Sequence, residues 1–241
     1  MNGKKISSLE LMKDALEIAS KSDIAIVFAG LSDELESEGW DNPDLKLPYG
    51  QDDLIREIAR INKNTVVVLF SGIPLNMEKW INDVPAVLQA WYPGQECGNA
   101  LAAILKGDVN PSGKLPVTFP KRWEDSPAYG NYPGKDGQVE YKEGIMVGYR
   151  YFDSFQIEPQ FPFGHGLSYT RFNYDSMSAT KTNERIVIEF QIGNTGEREG
   201  TEIAQLYVGN PGNLVYKPLK ELKAFSNVPL KSGEKSELLF R

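Results

Sequence analysis

Six carboxylates and no basic residue lie in one short stretch of the chain: Asp33, Glu34, Glu36, Glu38, Asp41 and Asp44. Carboxyl groups transfer protons in enzymes and bind hard cations such as calcium. Glu38 differs from the others because Gly39 and Trp40 follow it, so that a permissive backbone and a large apolar ring flank its side chain. Partial desolvation by the ring would favour the protonated carboxyl that a general acid needs. The spacing therefore indicates Glu38 as a candidate for proton transfer.

Two other interpretations of this acidic stretch stay open. The charges are also typical of a solvated surface that keeps a protein soluble. They would suit a calcium ion as well, although their oxygens do not follow the alternating spacing of an EF-hand loop. A nucleotide-binding loop is excluded, because Ala29–Asp33 holds a single glycine and ends on an acid that would repel phosphate.

The elements on either side predict a long loop that leaves a strand and enters a helix. Residues 23–29 form an apolar run typical of a strand buried on both faces, and residues 52–61 repeat apolar side chains at helical spacing. About twenty residues connect them, whereas such connections usually have about 2 to 6. A loop of this length is more often functional or disordered than incidental.

The first part of the chain alternates helix and strand. Ser7 and Glu10 have the spacing of a capping box, which predicts a helix start. Further strands are predicted at 65–71 and 86–90, and helices at 75–81 and 98–105. This order predicts an open, mostly parallel sheet flanked by helices, an α/β sandwich. The carboxyl ends of its strands, at Gly30, Ser71–Gly72 and Trp91–Gly94, would then meet at one crevice.

The second part of the chain has the alternation of β-strands. Gly113–Pro120 is interpreted as a short edge strand bounded by prolines. After Tyr169, apolar residues alternate along 186–192 and 203–208, with turn sequences at 194–196, 210–212 and 232–233. We therefore predict an α/β domain over 1–165 and an antiparallel β-sandwich over 166–241. The sandwich is expected to be incomplete, because it has about 75 residues where an immunoglobulin-like sandwich needs about 100.

Composition excludes several classes of function. The net charge of −7 and the pI of about 5.0 argue against nucleic acid or an anionic membrane as a partner. A lone cysteine, Cys97, excludes an internal disulfide and is interpreted as structural, and a lone histidine, His165, excludes a histidine-rich metal site. The first residues lack the apolar core of a signal peptide, so a cytoplasmic location is expected.

Five segments of the chain carry a more specific signal. They are Glu36–Asp41 with Leu47–Pro48, Gln89–Glu96, Gly107–Pro120, Gly148–Asp153 and Phe161–Tyr169. In this order, and over nearly the whole chain, they resemble motifs of the carboxy-terminal part of glycoside hydrolase family 3, the β-glucosidases and β-xylosidases. The resemblance implies a six-stranded α/β sandwich domain followed by a fibronectin-type-III-like domain, with no cofactor and no metal.

The resemblance also implies site residues. Its Glu-Gly-aromatic-Asp element places the general acid/base at Glu38, with Glu36 as the rival because a shift of two residues also aligns. Trp40 and Asp41 would then contact the substrate, a β-glucoside or oligosaccharide. Asn42 stands where the family usually has arginine, which leaves the local contacts of the loop open.

One part of the family's machinery has no counterpart in this sequence. The family's nucleophile is an aspartate on a separate (β/α)₈ barrel, and no segment here has the pattern of that barrel. The expected partner is therefore a barrel domain, joined in cis or supplied in trans, without which the chain should be inactive. The alternative is a non-catalytic carbohydrate-binding or scaffold module that has the same fold.

Overall fold

The computed structural model describes residues 7–183, 185–209, 212 and 215–240. Two compact units are present. The first contains the chain up to Cys97 together with Phe119–Ser126, and the second contains Gly98–Thr118 and the chain from Pro127 onward. The predicted domain boundary after residue 165 stays a prediction. Residues 1–6, on which the expectation about a signal peptide partly rests, and Asn210–Pro211 of a predicted turn lie outside the described residues.

The first unit is built on a parallel sheet. Its elements are α1 (Ser8–Ser20), β1 (Ala25–Gly30), α2 (Gln51–Ile61), β2 (Thr65–Phe70) and β3 (Ala86–Gln89). The strands lie in the order β1-β2-β3, and all neighbours are parallel. The predicted capping box is formed: the Glu10 amide donates to the Ser7 hydroxyl at 3.2 Å, and Glu10 accepts from the Ser7 amide at 2.9 Å. The predicted parallel α/β arrangement is confirmed, with three strands among the described residues where the resemblance implied six.

Burial differs between the strands because β2 is central and β1 lies at the edge. Val67, Val68 and Leu69 in β2 have no exposed surface, as a continuous apolar run requires. In β1 the pattern alternates, and Ile26 and Phe28 are exposed. The prediction that this strand is buried on both faces is therefore wrong for the described residues, because β1 pairs on one side only and its outer face is not covered by them.

The segment after β2 forms turns where a short helix at 75–81 was predicted. The Asn76 side chain accepts from the Glu78 amide at 3.0 Å, which fixes a turn instead of a helical start. Trp80 follows and is almost completely buried, with its indole Nε1–H donating to Asp52 Oδ1 at 2.9 Å. Asp52 lies in the first turn of α2, so this contact joins the turns to that helix.

The second unit contains two helices and an antiparallel β-sandwich. Its elements are α3 (Cys97–Lys106, which starts at the boundary residue), α4 (Tyr149–Ser154), β4 (Phe172–Lys181), β5 (Ile186–Asn194), β6 (Gly200–Gly209), β7 (Lys220–Leu230) and β8 (Lys235–Phe240). One sheet has the order β4-β5-β8 and the other pairs β6 with β7. Phe190, Ile192, Ala204, Val228 and Leu230 share one core between the sheets. The predicted antiparallel sandwich is confirmed.

Asn194 is a buried polar residue in this unit. Asn194 donates through Nδ2 to the carbonyls of Arg198 at 2.8 Å and Leu230 at 3.1 Å. Its Oδ1 accepts from the Thr170 hydroxyl at 2.6 Å and from the Gly196 amide at 3.1 Å. Every hydrogen-bonding position of the amide is therefore occupied, which is what makes a polar group tolerable in a core.

One further sequence prediction needs correction, and one helix was missed. Gly113–Pro120 is not a strand. The Leu115 amide donates to the His165 carbonyl, and the Gly164 amide donates to the Leu115 carbonyl, at 2.8 Å each. Prolines at 111, 116 and 120 remove the amides that a continuous ladder would need. Helix α4 was not predicted, since its six residues carry no complete apolar period. No helix within the described ranges is long and apolar enough to cross a membrane.

Candidate active site

The acidic loop, defined as residues 31–50, is closed at its base by Gln51. The Gly30 amide donates to Gln51 Oε1 at 2.7 Å, and Gln51 Nε2 donates back to the Gly30 carbonyl at 3.0 Å. Gly30 has a φ of +148°, and a Cβ there would lie 2.0 Å from the carbonyl oxygen of Phe70. Only glycine fits this close approach. The two ends of the acidic loop are therefore held together where β1 ends and α2 begins.

The second half of the acidic loop is anchored by apolar burial. Leu45 and Leu47 are buried, and the Asn76 amide donates to the Leu45 carbonyl at 2.7 Å. The two leucines bring this half onto the first unit, because their burial is favourable. The residues before them, including the predicted proton donor, remain at the surface.

Glu36 joins the acidic loop to the ends of the other two strands. Its two carboxylate oxygens both lie 3.0 Å from the Gly72 amide nitrogen, just after β2. Its Oε2 also accepts a hydrogen bond from the Tyr92 hydroxyl, just after β3. The prediction that the carboxyl ends of the three strands meet at one place is confirmed by these contacts.

The contact changes the titration of Tyr92. Tyr92 is 55% exposed as a whole, but partial desolvation, and then the hydrogen bond to Glu36 and its negative charge, raise the pKa of its phenol to about 12. The phenol therefore stays protonated at neutral pH and continues to donate. Glu36 accordingly has its oxygens occupied by an amide and a phenol, which leaves it poorly placed to take part in proton transfer.

Glu38 lies on the corner of a tight turn two residues later. The Trp40 amide donates to the Ser37 carbonyl at 3.2 Å, and Gly39 has a φ of +81°. This is the conformation that a type II turn requires after its first corner residue. The Glu38 side chain is exposed, and its carboxylate has no hydrogen-bond or ion-pair partner within the part of the chain that the structure describes.

The other predicted site residues share the surface with Glu38. Trp40 is 75% exposed, and Asp41 is also exposed. The apolar ring was expected to desolvate Glu38, but the described residues enclose neither the ring nor the carboxyl, so any such enclosure has to come from outside them. Tyr92, which contacts Glu36 of the same loop, is also 55% exposed.

A cation site is not indicated by the geometry. Among the described residues, no group of three or more His, Cys, Asp or Glu side chains is placed to hold a metal ion. Cys97 is half-buried at the start of α3 and is a free thiol.

Sequence reasoning missed Gln51 and the pairing of Glu36 with Tyr92. Their only signal is topological, since residues far apart in sequence meet once the parallel strands are aligned.

Comparison with known proteins agrees with the geometry. The model of the glycosyl hydrolase family 3 C-terminal domain matches residues 4–169, and that of the fibronectin type III-like domain matches residues 202–241. Thermostable beta-glucosidase B of Acetivibrio thermocellus is 49% identical over 96% of this chain and 31% of its own length.

Solved structures give the same result. The crystal structure of the beta-glucosidase from Kluyveromyces marxianus in complex with glucose has a TM-score of 0.95 at 41% identity, covering 98% of this chain and 29% of that one. The Bifidobacterium adolescentis GH3 beta-glucosidase has a TM-score of 0.94 at 38% identity, covering 98% and 35%. This chain thus spans about a third of the length of these relatives. It belongs to glycoside hydrolase family 3, of which it carries the C-terminal domain followed by fibronectin type III-like strands.

Proposed function

We propose that this chain is the acid/base-bearing portion of a retaining β-glucosidase that acts on terminal β-D-glucosides, and that Glu38 is the general acid/base. The observation that carries the assignment is the contrast between two neighbouring glutamates. Glu36 has both oxygens engaged by Gly72 and Tyr92, whereas Glu38 is exposed on the corner of a turn. The relatives named above, which are β-glucosidases, support the choice of reaction.

The chemistry asks two different things of Glu38. When protonated, it gives its proton to the glycosidic oxygen as the bond to the sugar breaks, so that the aglycone leaves as an alcohol. As a carboxylate, it then takes a proton from the water that attacks the glycosyl-enzyme intermediate. An exposed carboxyl on a tight turn can approach a substrate for both steps, whereas a carboxylate held by two donors would first have to release them.

The nucleophile has to come from another domain. A retaining mechanism needs a second carboxyl about 5 to 5.5 Å from the first, on the opposite side of the bond. In this proposal a barrel domain supplies it, in cis or in trans, and also encloses Trp40 and Asp41 against the sugar. The chain alone is then expected to release no phenol from an aryl β-glucoside.

The experiment compares the chain alone with the chain joined to the part of the Acetivibrio enzyme that it does not match. Glu38→Gln in the joined enzyme should slow hydrolysis of cellobiose by about 10²- to 10⁴-fold, the usual contribution of a general acid. From a dinitrophenyl glucoside, the dinitrophenolate departs without being protonated. Cleavage of this glycosidic bond should therefore be nearly unaffected by Glu38→Gln. Azide, which needs no general base, should restore turnover of that substrate by forming a glucosyl azide.

Glu34→Gln is the matched control, because Glu34 is an exposed carboxylate of the same loop. It should leave all rates unchanged. Phenol release by the chain alone, or a Glu38→Gln enzyme that hydrolyses cellobiose as fast as the control, would contradict the proposal. Binding of cellobiose or glucose to the isolated chain at millimolar concentration or below, measured by calorimetry, would instead favour the non-catalytic carbohydrate-binding module.

A further inference from the structure

Glu36 is the side chain through which the acidic loop contacts the ends of two neighbouring strands. Its contacts reach Gly72 after β2 and Tyr92 after β3, while the loop itself continues from β1. Glu38 follows two residues later, on the turn closed by the Trp40 amide. A displacement of Glu36 would therefore pass directly into the turn that carries the proposed acid/base.

We propose that Glu36 is a positioning residue, whose carboxylate fixes the turn bearing Glu38 over the carboxyl end of the sheet. This inference rests on the proposed role of Glu38. It also changes the interpretation of Glu36 itself, which the sequence alone left as a rival for the catalytic role. In the structure Glu36 is hydrogen-bonded to the strand ends, whereas Glu38 faces solvent.

The chemistry of the contact explains why a carboxylate suits this position. An ionised carboxylate only accepts hydrogen bonds, and both groups facing Glu36 are donors, a backbone amide and a phenol. Hydrogen bonds to an ionised acceptor are about twice as strong as those between neutral groups. Glutamine at the same position would keep one oxygen for the Gly72 amide, but its NH₂ group could only donate to the phenol oxygen, so the hydrogen bonds to an ionised acceptor would be replaced by weaker ones between neutral groups.

Tyr92 contributes to the same contact from its own side. Because partial desolvation and Glu36 raise its pKa to about 12, the phenol remains a donor over the whole range in which a glycosidase works. The phenol therefore keeps its proton throughout that range. The ring of Tyr92 is largely exposed, so Tyr92→Phe removes the hydroxyl without leaving a cavity in the core.

The expected effect on catalysis follows from the distance over which a general acid must act. Proton donors work at hydrogen-bond range, and a misplacement of about 1 Å can cost about 100-fold in rate. We therefore expect Glu36→Gln to slow cellobiose hydrolysis by about 10- to 100-fold in the joined enzyme, with Glu36→Ala at the larger end. Tyr92→Phe, which leaves the Gly72 contact intact, should have a smaller effect of the same kind.

The decisive measurement is the dependence on the leaving group. If Glu36 positions the proton donor, its loss matters for cellobiose and changes bond cleavage of a dinitrophenyl glucoside by less than about 3-fold, because the latter needs no acid. If Glu36 merely supports the fold, both substrates lose rate equally, which would overturn the inference. Equal rates for Glu36→Gln and the Glu34→Gln control would overturn it as well.

Glu38→Gln in the same assay separates this inference from the proposed function. A Glu38→Gln enzyme without leaving-group dependence would refute the role of Glu38, and with it the role of Glu36. A Glu38→Gln enzyme with the expected dependence, beside a Glu36→Gln enzyme without it, would refute only the positioning role.

A second measurement uses the chain by itself and needs no barrel. Amide hydrogen exchange at Trp40 reports on the turn that carries Glu38, since this amide donates to the Ser37 carbonyl. Glu36→Gln and Tyr92→Phe should each accelerate this exchange, by about 10-fold or more for Glu36→Gln, without changing exchange in β2. An unchanged rate at Trp40 in both variants would show that Glu36 does not hold the turn.

Discussion

Replacing Asp52 by alanine should remove the only acceptor that the structure gives to a buried indole. The Nε1–H of Trp80 donates to Asp52 Oδ1 at 2.9 Å, and the Trp80 side chain is 1% exposed, so water cannot take the place of the carboxylate. A buried donor without an acceptor costs about 1 to 3 kcal/mol. The carboxylate also lies in the first turn of α2, where a negative charge contributes about 0.3 to 1 kcal/mol.

The partner Lys79 adds little, because its side chain is more than half exposed and such ion pairs contribute about 0 to 1 kcal/mol. The free energy of unfolding of the first unit should therefore fall by about 2 to 4 kcal/mol. Urea unfolding followed by tryptophan fluorescence measures this directly. All four tryptophans, at positions 40, 80, 91 and 123, belong to the first unit, so the signal reports on that unit.

Asp53→Ala is the matched control. It removes a carboxylate from the same helical turn, but its partner is Arg56 on the surface, at 3.0 Å. Its cost should be about 0.5 to 1 kcal/mol. Asp52→Asn keeps an oxygen for the indole and should recover most of the difference between the two alanine variants. If both alanine variants lose the same stability to within about 0.5 kcal/mol, the buried hydrogen bond does not have the strength assigned to it.

Three further outcomes are expected. Burial, with a smaller effect from the charge of Lys114, lowers the pKa of His165 below its ordinary 6.5, so this histidine stabilises the second unit above that pH. The contribution is lost as the pH falls from 6.5 through the lower folded-state pKa, and His165→Gln should flatten the loss of stability that circular dichroism measures below pH 6.5. Gly39→Ala places a side chain in the left-handed region at φ +81°, which costs about 1 to 2 kcal/mol of conformational energy. It should therefore accelerate amide exchange at Trp40. Gly39→Asn should have a smaller effect, because asparagine adopts this conformation more readily. Asn194→Asp replaces a donor to two carbonyls with a charge and should cost at least about 3 kcal/mol in thermal unfolding; a loss below about 1 kcal/mol would contradict the network described here.

The fold was largely predictable because its elements carry strong local periodicity. The apolar run of β2 and the helical spacing of α2 both appear in the structure within one residue of their predicted bounds. The failures occur where a tertiary contact decides the conformation. Trp80 fits its pocket through turns instead of the predicted helix, and the prolines of 113–120 prevent the predicted strand.

The contacts of the acidic loop with the strand ends were predictable from the sequence, but the different surroundings of its two central glutamates were not. The carboxylate density and the length of the loop point to residues 31–50, and the strand order predicts a shared crevice. Which glutamate is held and which is exposed depends on the Gly72 amide and the Tyr92 hydroxyl, which lie 36 and 56 residues further along the chain. Contacts at such separations leave no periodic signal in the sequence, so Glu36 remains a rival of Glu38 until the fold brings the donors together.

The pair of hydrogen bonds between Gly30 and Gln51 has an evolutionary consequence. Because the ends of the acidic loop are fixed to each other, the residues between them can change in length or composition without moving β1 or α2. The entropic cost of lengthening a closed loop is small, about 0.6 kcal/mol for each doubling. The part of the loop between the proposed acid/base and the buried Leu45 can therefore vary while the scaffold is retained. A library that varies Asn42–Asp44 and keeps Gly30, Glu36, Glu38 and Gln51 would change this surface at little risk to folding.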